Sequence, residues 1–266
     1  MNKFLFAYNI RQNALLFLII LSVLLLYFSI IIPMYDPAGN EDLIAMASMK
    51  MSPEMLKAFG FTITPNVSLT SFLASYLYGM LMIIIPMIYT CICANRLVAQ
   101  HTDKGSMAFL LSAPISRKRI VATQALFLLL STFMLLLCIT LFAIVYSNIK
   151  FPGLLDVRAF IALNWALFAL MSFISGIAFM ASVCADTTQA SLAFGLGVPL
   201  FFYVVKMAAD ATDYTFLKYL TFYSLFDYSA IAATEASFVQ VFIFLFAALL
   251  LYCTSIFCFS QKQLAV

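Results

Sequence analysis

Apolar residues fall along the chain in six runs, at about 15–33, 70–94, 120–147, 158–184, 189–208 and 238–259. Each is long enough to cross roughly 30 Å of hydrocarbon as a helix. Backbone in lipid must satisfy its own hydrogen bonds, which helices do within one segment. The pattern predicts an all-α polytopic membrane protein with six transmembrane helices, in a single transmembrane domain over 1–266.

The polar stretches between the runs carry their own patterns. The stretch from Arg96 to Arg119 holds five cations (Arg96, Lys104, Arg117, Lys118, Arg119) and the only histidine, His101. Within it, Met107, Leu110, Leu111 and Pro114 recur at i, i+3, i+4 and i+7, one face of a short amphipathic helix. Gly105 loosens its start, Pro114 stops it, and Ser116 is placed to cap the helix that follows. Residues 2–13 mix Phe4, Leu5, Tyr8 and Ile10 with Lys3 and Arg11, which predicts an interfacial helix ahead of the first span. Ser52-Pro53-Glu54 reads as the start of a short helix. The stretch 209–237 is too polar to span and too aromatic for a free loop, so it should fold into interfacial or re-entrant helices.

Certain runs contain expected weak points. Pro86 should kink the second span and free a carbonyl. Ser172 and Gly176 in the fourth are a small pair that allows close helix approach. Gly195, Gly197 and Pro199 make the centre of the fifth weak. With Pro86 they mark a translocation path or the seam with a second chain, since transport folds put flexible helices where a pathway opens.

Composition agrees with the runs: 65% of the 266 residues are hydrophobic and 9% charged, with mean hydropathy +1.07, against roughly 25% charged in soluble domains. Charge also orients the chain. With both termini inside, the cytoplasmic side carries eight cations and two acids, and the other side six cations and nine acids. Cytoplasmic loops favour Lys and Arg, which predicts an N-in, C-in topology. The first run has no small-x-small cleavage site after it and is expected to be a retained span.

The chemistry of enzymes is missing from the motifs. There is no G-x-x-x-x-G-K-[ST] and no H-E-x-x-H. No G-x-S-x-G occurs either. One histidine cannot build a His-rich metal site. Met46, Met49, Met51 and Met55 cluster between the first two runs; they suit the buried face of a surface helix or a Cu(I) site. The six cysteines lie in or at the ends of runs and imply no extracellular disulfide framework. The span centres hold no charge, and Lys206, Asp186 and Arg158 near the ends can snorkel. That argues against an ion-coupled carrier.

Asp103, then Gly105-Ser106, Leu110-Leu111, Pro114 and Ser116-Arg117, resembles the coupling-helix segment of type 2 ABC transporter permeases, the membrane subunits of many bacterial exporters. PEMLKAFG (53–60), TSFLASYLYG (70–79) and YLTFYSLFDYSAI (219–231) resemble other parts of the same permeases. Where many members have two acids before the glycine, this chain has Thr102-Asp103. The resemblance implies an elbow helix at the N-terminus, a cytoplasmic coupling helix and a re-entrant segment before the last span. It implies a permease that works with a second permease chain, identical or homologous, and with two copies of a separate P-loop ATPase. Asp103, Lys104, Gly105, Met107, Leu110, Leu111, Pro114, Ile115 and Arg117 would contact that ATPase. ATP and Mg would be bound there, leaving this chain without a cofactor or catalytic residue of its own. The implied setting is a bacterial plasma membrane, with lipid and no nucleic acid among the partners. An uncharged, aromatic, Met-rich interior suits a hydrophobic or amphipathic cargo such as a lipid, drug or peptide. The alternative is an energy-independent channel or a structural subunit of a larger membrane assembly.

Overall fold

No glycine or proline interrupts residues 3–31, and they form one continuous helix, α1 (Lys3–Ile31), closed by a 3₁₀ turn at Ile32–Met34 that contains Pro33. At ~1.5 Å per residue it is about 43 Å long, so it outruns a bilayer core. The separate interfacial helix expected over 2–13 is therefore absent as an element. From Lys3 those residues are the first turns of the span itself, because nothing in the sequence breaks them off.

The computed structural model describes residues 3–37, 55, 68–105, 116–212, 215–233 and 239–261, and these contain helices and no strand. After α1 comes α2 (Leu69–Leu73), capped by Ser68 Oγ, which accepts from the Ser71 amide at 3.2 Å. It runs into one wide π turn, Ala74–Tyr78, and the chain then turns at Gly79 and Met80. The second apolar run is thus not a single helix from residue 70. Its spanning part is α3 (Leu81–Leu97), which continues past a further break as α4 (Ala99–Asp103). The backbone passes through Pro86 without leaving the helix.

Four more spans follow: α5 (Arg117–Lys150), α6 (Val157–Cys184), α7 (Thr188–Ala211) and, last in the chain, α10 (Val239–Gln261). Their starts obey ordinary capping chemistry. Asp156 Oδ1 accepts from the amides of Arg158 and Ala159 at 3.0 and 3.2 Å, and Thr187 Oγ1 from that of Ala190 at 3.3 Å. Ser116 takes the N-cap position of α5, as expected, though its side chain makes no capping bond. Between α7 and α10 lie three short pieces: α8 (Thr215–Leu220), a 3₁₀ turn at Phe222–Leu225, and α9 (Tyr228–Ala232). They fold back onto α7 and α6.

Six helices are long and apolar enough to cross a membrane. The hub is α6, which packs against α10, α3, α7 and α5. Small residues allow this. A Cβ on Gly176 would lie 3.1 Å from Leu251 Cβ on α10, and one on Gly195 would lie 3.2 Å from Ala178 Cα. A hydroxyl pair, Ser175 with Tyr252 at 2.8 Å, joins α6 to α10. The spans alternate in direction, so the bundle has a linker end, where residues 104–116 leave and return, and a far end, where α2, α8 and α9 sit.

Candidate functional site

At the linker end the backbone of the second span comes apart. Val98 has φ −126° and ψ −65°, outside the helical range, yet no glycine or proline is near. Breaking a helix frees backbone groups, and these are buried: Leu97, Val98 and Ala99 are each at most 1% exposed. Side chains from two neighbouring spans take them up. Ser182 Oγ on α6 accepts from the Ala99 amide at 3.0 Å and donates to the Ala94 carbonyl at 2.9 Å. Gln124 Nε2 on α5 donates to the Leu97 carbonyl at 2.6 Å.

Beyond the break, α4 is a little over one turn long. Its last residue, Asp103, is exposed and reaches α7: Asp103 Oδ2 accepts from Thr188 Oγ1 at 2.6 Å and from the Thr188 amide at 3.3 Å. A helix start has unpaired amides and a positive dipole end, so a carboxylate is favourable there. Lys104 follows and Gly105, at φ +68°, ends α4 in the left-handed conformation that glycine adopts cheaply. Lys104, Gly105 and Arg117 are all exposed where the linker leaves and returns. Met107, Leu110, Leu111, Pro114 and Ile115 lie outside the described residues, as do Met46, Met49, Met51 and the helix expected from Ser52.

The other predicted set is divided between α3 and α7. Although Gly195 and Gly197 are two residues apart in an unbroken α7, they face different ways. Gly195 is buried against Ala178, and its carbonyl accepts from Cys91 Sγ at 3.2 Å. Gly197 has nothing within 4 Å of where its Cβ would be. Pro199 and Pro86 are buried within α7 and α3. The fifth span runs unbroken through its expected weak centre, with Gly195 packed and Gly197 open.

At the far end Lys206 is buried and paired. Only 6% exposed, it pairs with Asp210 at 2.6 Å and stands 5.7 Å from the centre of the Tyr228 ring. Burial, together with the carboxylates of Asp210 and Asp227, pushes the Tyr228 phenol above its ordinary range. The pair lies in the last two turns of α7, which ends at Ala211.

Sequence reasoning picked out Asp103 but missed Ser182, Gln124 and Thr188. The available signal was polarity out of place: Gln124 is an amide four residues into an apolar run. Among the described residues, no group of three or more His, Cys, Asp or Glu side chains could hold a metal. A family model described as ABC-2 family transporter protein matches residues 7–264. Comparison with curated proteins and with solved structures gives no match.

Proposed function

The chain belongs to the ABC-2 transporter family, and we propose that it is the permease of an exporter driven by a separate P-loop ATPase. Family and helices make it a multi-pass membrane subunit of an ABC transporter. The family implies an ATPase partner in general. In this reading the linker end faces the cytoplasm of a bacterial cell, with both termini inside. Two permease chains, alike or homologous, work with two ATPase subunits that bind ATP and Mg. Cargo leaving through the spans is hydrophobic or amphipathic, in keeping with the apolar bundle.

One observation carries the reading: the linker is rooted in structure that can transmit force. Asp103 ties its first end to α7, and Arg117 begins α5 directly at its other end. The 107–115 segment then docks on the ATPase through Leu110 and Leu111. Burying one leucine is worth about 1.5–3 kcal/mol, and 1.4 kcal/mol is a factor of about ten in affinity.

Purification in mild detergent should recover a P-loop ATPase in stoichiometric amount. Leu110→Ala with Leu111→Ala should weaken that association by roughly tenfold to a hundredfold. If no ATPase accompanies the unaltered chain, a channel or structural subunit becomes the better reading. If the double variant binds as well as the unaltered chain, docking lies elsewhere.

A further inference from the structure

We infer that α4 is a lever, pivoting at Val98, which carries movement of the docked linker into α7 through the bond between Asp103 and Thr188. The inference rests on the docking reading above and adds the route by which docking reaches the spans.

Three observations support it. The break at Val98 falls where the sequence gives no reason for one, and its freed groups are held by side chains, not by backbone. A serine hydroxyl and a glutamine amide can rotate and keep their bonds as the two helical pieces change angle, which a continuous i to i−4 ladder cannot do without strain. Ser182 holds both sides of the break at once, through Ala94 and Ala99. The pivot is therefore fixed in place while remaining jointed.

The lever arm is short and its tip is tied. Asp103 Oδ2 takes both the hydroxyl and the amide of Thr188, the first residue of α7. A helix pushed at its first residue moves as a body. Linker residues follow Asp103 directly, so a pull on the first end of 104–116 acts on this contact, as a pull on its other end acts on α5.

The target is also less buried in this chain than the core pair α3 and α6, as α1 and α10 are at 17% and 22%. In its most apolar window α7 buries 28% of its residues inside this chain, against 67% for both α3 and α6. It meets α6 at the glycine seat on Ala178, where the two backbones come close. The core pair α3 and α6 stays fixed while α7 tilts.

The test uses the permease purified with its ATPase. Spin labels carried on unnatural amino acids replace the exposed Phe194 on α7 and Phe246 on α10, so the native cysteines stay in place. Pulsed EPR distances are measured before and after trapping with ATP, magnesium and vanadate. Trapping should shift the α7–α10 distance in the unaltered chain and in Thr188→Ser, which keeps the hydroxyl. In Thr188→Val the shift should shrink at least twofold while ATPase binding and ATP hydrolysis persist. A full shift in Thr188→Val overturns the lever alone. So does an equal loss in Val and Ser, because the side chain's shape, not its hydrogen bond, would then be what matters. An unaltered complex that lacks an ATPase overturns the docking reading, and the lever with it.

Discussion

The two ends of α3 are both breaks in a buried backbone, and they are held by different numbers of bonds. At the far end Gly79 keeps helical angles and the chain leaves the helix at Met80, with φ −136° and ψ −58°. The carbonyl of Gly79 is taken by a single donor, Tyr203 OH on α7, at 2.9 Å. At the linker end the break falls on Val98 at similar angles, φ −126° and ψ −65°, and three backbone groups are taken up by Ser182 and Gln124. Neither break falls on a residue with special backbone freedom. Neighbouring side chains hold both, more heavily at the linker end.

This difference is measurable. Ser182→Ala should be the most damaging of the single-atom changes here, because one missing oxygen leaves the Ala94 carbonyl and the Ala99 amide buried and unpaired. At about 1–3 kcal/mol for each orphaned group, the loss is about 2–4 kcal/mol if α3 and α4 partly close into one helix to recover it. A lowered thermal unfolding midpoint in detergent checks the size. Restored i to i−4 bonding across Val98, seen as slower amide exchange at Ala99, checks the direction. An unchanged midpoint would mean that Ser182 merely fills space.

That asymmetry also explains what was legible in the sequence. Six spans could be read from the runs because burial in lipid requires long uninterrupted apolar segments. Caps at Asp156 and Thr187 and the close approach at Gly176 follow from local residue chemistry. The break at Val98 was not legible, since its cause lies 27 residues away in Gln124 and 83 away in Ser182. At Pro86 and the glycines of α7 the helices run on unbroken. They are permissive residues; Gly195 packs on α6 at Ala178, while Gly197 faces open space. Lys206 was placed near a span end, and it is; that it pairs with Asp210 four residues on was not read. For the linker the sequence showed the amphipathic face and the flanking charge, and Asp103 within it. It could not show that Asp103 reaches Thr188, a contact between residues 85 apart.

Next in size is Tyr203→Phe. The ring stays, with its edge-to-face contact on Tyr223 at 5.5 Å, and only the hydroxyl over Gly79 is lost. One buried carbonyl without its donor should cost about 1–2 kcal/mol, roughly half the effect of Ser182→Ala. The same unfolding measurement ranks the two. If Tyr203→Phe proves the more costly, the far end depends on tertiary bonding as heavily as the linker end, and the contrast fails.

Gln124→Met should have the smallest effect, for a reason specific to this amide. Its Nε2 donates to the Leu97 carbonyl, but its Oε1 is buried without a hydrogen-bond partner. Methionine of similar length removes both at once. The Leu97 carbonyl loses its donor, at about 1–3 kcal/mol, while the desolvated Oε1, a cost of the same order, disappears. The opposing terms leave a net change within about 1 kcal/mol in stability. Function separates from stability at this residue. Without the amide, the Leu97 carbonyl is freed on the α3 side of the pivot, and the joint is held by Ser182 alone. Gln124→Met should therefore unfold at nearly the unaltered temperature yet show a broader trapped α7–α10 distance distribution by EPR. A large drop in the unfolding midpoint would show that Oε1 is satisfied in the membrane and that Gln124 braces the fold as Ser182 does.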